Sequence, residues 1–183
     1  MILLFAGLTM FLTIHFLPEL NGRSFFVHKI GEPAYKGIYS LLSILAFVLI
    51  VYGKAYSDFV SVWNPSVWMR HLTMLMVLVA MLLLSISQIP NNFRRTIKHP
   101  MLLGVTLWGI AHLLVNGDLA SIVLFGSFVL FSVIKMFTME RHKPYTQPDP
   151  VKSYWNVVSI VVGFLIYGAA LGFHQSIAGV SLF

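Results

Sequence analysis

The sequence predicts an all-α, polytopic integral membrane bundle of about six transmembrane helices, with both termini on the outer, periplasmic side. Composition, the length of the apolar runs and the placement of the basic residues all point to it. Of 183 residues, 58% are hydrophobic and only 10% charged, and the mean hydropathy is +0.85. Soluble domains carry about 25% charged residues, so this chain cannot cover itself with a polar surface. Its length allows one compact domain over residues 1–183 and no separate soluble one.

Six apolar stretches run over roughly 2–17, 37–53, 70–88, 101–115, 119–137 and 155–172. The first has no basic segment before it and no small-residue cleavage site after it, so it reads as a retained helix rather than a signal peptide. Pro18, Asn21 and Gly22 close it, and Trp63, Asn64 and Pro65 precede the third stretch. Asn91 and Asn92 follow the third, Asn116-Gly117-Asp118 separates the fourth from the fifth, and Pro144, Pro148 and Pro150 mark the loop before the sixth. Crossing a hydrocarbon core of ~30 Å takes about 20 helical residues. The first and fourth stretches are therefore short. Either they begin in the flanking loops, or the fourth and fifth form a hairpin that does not fully cross.

The net charge of +6 is a matter of topology rather than of nucleic-acid binding. Three alternate connections hold ten of the twelve Lys and Arg: Arg23, Lys29 and Lys36; Arg94, Arg95 and Lys98; Lys135, Arg141, Lys143 and Lys152. Only Lys54 and Arg70 fall on the other side. Cytoplasmic loops collect Lys and Arg, which places the termini outside, in a bacterial inner membrane. Trp63 and Trp68 on the sparse side read as an interfacial aromatic anchor.

With no cysteine, thiolate catalysis, disulfides and Cys-ligated metal are excluded. No Gly-rich phosphate loop, paired carboxylates or HExxH is present. Seven histidines remain. His28 and His142 lie in basic loops and His174 in the last segment, where each reads as solvated. His112 differs, because an ionisable group inside an apolar stretch is costly and functional by default. Trp108 and Asn116 stand at i−4 and i+4 and share its helix face. An imidazole with an aromatic wall suits a metalloporphyrin. It equally suits a histidine that bridges two helices by hydrogen bonds. His15, near the inner end of the first helix, is the second candidate. His71 and His99 open the third and fourth helices near an interface.

The chain resembles the NnrU-like membrane proteins over essentially its whole length. The likeness is carried by His15, Pro18 and Arg23; by Gly31-Glu32 through Tyr35 and Tyr39-Ser40; and by Arg70-His71-Leu72. Most specific is Lys98-His99-Pro100-Met101-Leu102-Leu103-Gly104, continuing through Trp108, Ala111-His112-Leu113, Asn116-Gly117-Asp118 and Leu124-Phe125-Gly126-Ser127. Lys98 stands where the family usually has Arg, which keeps the charge. The resemblance implies an association with denitrification, beside nitrite and nitric oxide reduction. Relatives in plants and cyanobacteria include the 15-cis-zeta-carotene isomerase, a haem b protein acting on a polyene. By that likeness His15 and His112 would be axial ligands of haem iron, with a hydrophobic polyene-like substrate or a respiratory partner beside the lipid bilayer.

The His-Pro-x-x-x-Gly segment at His99 also resembles the cofactor motif of membrane methyltransferases that use S-adenosylmethionine. Those enzymes follow it with paired acids. Here the matching region, Met139 to Tyr145, has Glu140 alone.

Helical rise provides a check on the ligand pair. At ~1.5 Å per residue His112 lies ~20 Å from an interface at His99, and His15 ~21 Å from one at Met1. In a ~30 Å core their depths differ by about 10 Å, whereas axial nitrogens on one iron lie about 4 Å apart. Depth alone equally allows His71 to face His112, or His15 to face His99. The resemblance favours His15 with His112.

Overall fold

Every apolar stretch becomes a helix in the computed structural model, which describes residues 1–19, 22–142 and 144–179. The helices are α1 (Ile2–Phe16), α2 (Gly22–Ile30), α3 (Glu32–Ala55), α4 (Met69–Gln88), α5 (Pro100–Val115), α6 (Leu119–His142) and α7 (Tyr154–Ala178). A 3-10 turn, Asn92–Arg95, precedes α5. Among the described residues there is no strand, only an isolated bridge between Ser61 and Asp118. Four helices, α3, α4, α6 and α7, are long and apolar enough to cross a membrane. The chain is a helical membrane protein.

The short stretches stay short. α1 has 15 residues and α5 has 16, and neither recruits its flanking loop. Pro100 opens α5 because a first-turn proline gives up only an N–H that the helix leaves unpaired anyway. The second stretch is longer than its apolar pattern, since Pro33 starts α3 in the same way and Glu32 suits the positive first turn. The fifth runs on past Phe137 to His142. Two elements are additions to the pattern, α2 and the 3-10 turn. Asn21 and Lys143 lie outside the described residues.

Contacts between α1 and α3 are as dense as those between α4 and α5, with α6 between the two pairs and α7 on the far side of α4. α1 and α3 run antiparallel at close range: a Cβ on Gly53 would collide with the backbone of Leu4. Such close approach is the van der Waals route to helix association where lipid removes the hydrophobic drive. The core under this seam joins Leu4 and Leu8 of α1, Ile50 of α3 and Ala120, Leu124 and Phe125 of α6. On the other flank the Ser85 hydroxyl donates to the Ser159 carbonyl at 2.6 Å, fixing α4 to α7.

α5 runs antiparallel to both α4 and α6, and the basic connections gather at one end, where Lys98 and His99 meet Glu140 and Arg95 meets Gln147. There Asn92 ties the 3-10 turn to the start of α7: its amide donates to Asn156 Oδ1 at 2.8 Å and its side chain exchanges two bonds with Val151. At the opposite end the α3–α4 loop clasps the α5–α6 turn. The Val62 and Trp63 amides donate to the Gly117 carbonyl at 2.8 and 3.2 Å, and the Leu119 amide donates to Val60. A side chain at Gly117 would strike the Trp63 carbonyl, so only glycine fits. Trp68 stands exposed beside this clasp, as an interfacial anchor would.

Candidate functional site: two locked imidazoles in the membrane helices

The sequence-predicted trio on α5 is joined by hydrogen bonds along one face. His112 Nδ1 lies 2.8 Å from the Trp108 carbonyl, and Asn116 Nδ2 donates to the His112 carbonyl at 2.9 Å. A carbonyl only accepts, so Nδ1 carries the proton, and the Nε2 lone pair is left for a metal or a donor. The ring stacks on Phe125 of α6 at 4.5 Å between centroids and packs against Trp108 at 4.8 Å.

His15 repeats the arrangement on α1. Its Nδ1 lies 2.8 Å from the Phe11 carbonyl, again one turn back, and its ring stacks on Phe11 at 3.9 Å. Tyr39 of α3 and Phe131 of α6 complete the wall at 5.5 and 5.9 Å. Lys135 of α6 donates to the His15 backbone carbonyl and pairs with Glu19 at 2.5 Å, both side chains nearly buried. A charge pair of this kind survives burial only by mutual contact, so it pins the end of α1 that carries His15.

The two imidazoles flank the same helix without touching. A run of ring contacts connects them through Phe11, Phe128 and Trp108. Their partners on α6, Phe125 and Phe131, are six residues apart, which is about 9 Å of helical rise. This agrees with the offset that depth arithmetic gives. As separate donors both residues fit a haem iron, each held through Nδ1 and lined by aromatic rings. Ligation of one iron by both would require the intervening ring run to part. Among the described residues no cluster of three or more His, Asp or Glu side chains is placed to hold a metal ion.

The other candidates sit elsewhere. His99 Nε2 lies 3.1 Å from Glu140 Oε2, and Lys98 reaches the other oxygen of the same carboxylate at 3.4 Å. Thus the residue at which S-adenosylmethionine would be sought is engaged with α6. His71 is exposed in the first turn of α4. His28 is exposed on α2, as expected of a solvated residue, and the side chain of His142 lies outside the described residues. His174 departs from expectation: it is half-buried on α7. Sequence reasoning also missed the Glu19–Lys135 pair. The one available signal was a lone acid just after the His15 helix.

The NnrU protein family profile matches residues 3–182, nearly the entire length. The chain belongs to the NnrU family. No curated protein and no solved structure is similar to it at a significant level. Family membership covers both short helices, and so both locked imidazoles.

Proposed function

We propose that this NnrU-family chain is a haem b-binding protein of the bacterial inner membrane, with His112 and His15 as the iron-ligating residues. The observation that carries the reading is the shared lock. Each imidazole gives its Nδ1 proton to a carbonyl one turn back and keeps Nε2 for a ligand. Metal-bound histidines are commonly fixed through the other ring nitrogen in this way. Trp108, Phe125 and Phe128 supply the apolar wall a porphyrin needs.

Haem supplies one-electron redox and ligand exchange when bound. The protein's own part is to hold two neutral imidazoles, to exclude water with aromatic rings, and to anchor His15 through the Glu19–Lys135 pair. In the family setting this serves denitrification or a redox-linked isomerisation of a hydrophobic, polyene-like substrate. In this reading the bundle has six crossings, and its basic end faces the cytoplasm, with both termini in the periplasm.

Absorption spectroscopy of the purified protein, expressed with ample haem, tests the reading. A Soret band that disappears in His112→Ala is the expected result. A colourless wild-type protein, or an unchanged spectrum in His112→Ala, defeats it. The S-adenosylmethionine alternative rests on the His99 segment alone, and calorimetric binding of that cofactor would be needed to revive it.

A further inference from the structure

We propose a second site, a binding pocket for the phosphate of an acidic phospholipid, where α1, α2 and α3 meet at the basic end. A cavity of about 370 Å³ opens there, lined by Pro18, Arg23, Tyr35, Lys36, Tyr39 and Ser40. Its volume lies within the roughly 300–1,000 Å³ usual for small-molecule sites.

Charge comes first. Arg23 and Lys36 both pair with one oxygen, Glu32 Oε1, each at 3.0 Å. Two cations share one carboxylate, so the mouth keeps a surplus positive charge and unspent guanidinium and ammonium donors. The Glu19 carboxylate nearby pairs through Oε1 with Lys135 and does not line the cavity, its Oε2 being buried without a partner among the described residues.

An independent observation points to a ligand. Tyr35 is 8% exposed and lines the cavity, yet its hydroxyl has no hydrogen-bond partner among the described residues. Leaving a buried hydroxyl unpaired is unfavourable, and a phosphate oxygen in the cavity would satisfy it. Arg, Lys and a phenolic O–H together form a donor set for a phosphate oxyanion.

The setting selects the lipid form of that phosphate. α2 exposes Phe25, Phe26 and Ile30 beside Arg23 and Lys29. Exposed aromatics beside basic residues at the basic end of the bundle suit the headgroup region, which would put the cavity near phosphate depth.

The test uses the full chain in detergent, with phosphatidylglycerol as probe, phosphatidylcholine as control, and native mass spectrometry as readout. The expected result is preferential retention of one phosphatidylglycerol, unaffected by millimolar inorganic phosphate. The double variant Arg23→Gln, Lys36→Gln should weaken retention by about tenfold or more, equivalent to about 1.4 kcal/mol or more. Tyr35→Phe, which removes only the unpartnered hydroxyl, should weaken it severalfold with helicity unchanged by circular dichroism. Equal retention of the two lipids, wild-type retention in both variants, or full displacement by inorganic phosphate would each overturn the assignment. Haem content plays no part in the readout.

Discussion

Lys54 Nζ reaches Asp118 Oδ1 at 2.9 Å, joining the last turn of α3 to the first turn of α6. Asp118 also accepts from the Ser121 amide at 3.0 Å, so one buried carboxylate caps α6 and holds two helices together.

This pair makes stability depend on pH. Burial pushes the Asp118 carboxyl up, but its contacts to Ser121 and Lys54 outweigh that and leave it below its ordinary value. A depressed folded-state pKa contributes stability that is present above the ordinary carboxylate pKa and is lost as pH falls through the folded value. Thermal melts in detergent should therefore fall off on the acid side of pH 4, with the loss flattened in Asp118→Asn. At neutral pH that variant should cost about 2 kcal/mol, as for hydrogen bonds to a charged group. An unchanged acid limb in Asp118→Asn would assign it to other groups.

Lys135→Met should be more damaging. Both side chains of the Glu19 pair are nearly buried, and stranding one charge of a buried pair costs roughly 3–5 kcal/mol. The companion double variant Glu19→Gln, Lys135→Met should recover much of that loss. Equal melting temperatures for the single and double variants would contradict the pairing.

Gly53→Ala should separate α1 from α3. The added methyl meets the Leu4 backbone, which cannot swing aside as a side chain could. Overpacking of this kind costs about 1–3 kcal/mol. Proteolysis or hydrogen exchange at α1 should rise sharply, while the α4–α5 hairpin stays protected.

The histidine variants should differ from each other. His112→Ala is expected to lose haem. If His15 also holds the iron, His15→Ala is expected to retain the group with an altered spin state. Magnetic circular dichroism or electron paramagnetic resonance reads this directly. A His15→Ala protein with wild-type spin state would remove His15 from the iron and leave it with a structural role on α1.

Much of the fold was legible because the apolar stretches are set by burial in lipid, which the sequence displays residue by residue. The boundaries at Glu32 and His142 were not, because charged side chains at helix ends snorkel to the interface and hide the continuing helix. α2 was missed for the same reason: Arg23, Ser24, His28 and Lys29 interrupt Phe25 and Phe26, so no apolar run appears. The Trp108–His112–Asn116 face was visible at i−4 and i+4 because helical spacing makes it local. Glu19–Lys135 and Lys54–Asp118 depend on which helices become neighbours, and local pattern carries no record of that. His174 was set aside as solvated, since its half-buried position arises only once α7 is packed in place.

The two helices that carry the imidazoles are the two short ones, α1 and α5. Each rises only about 23 Å against a hydrocarbon core of ~30 Å. If lipid meets them directly it would have to thin there, whereas α3, α4, α6 and α7 are long enough to cross its full thickness. Reconstitution in lipids of increasing acyl-chain length should progressively destabilise α1 and α5 before the long helices, which makes the histidine-bearing helices sensitive to membrane thickness itself.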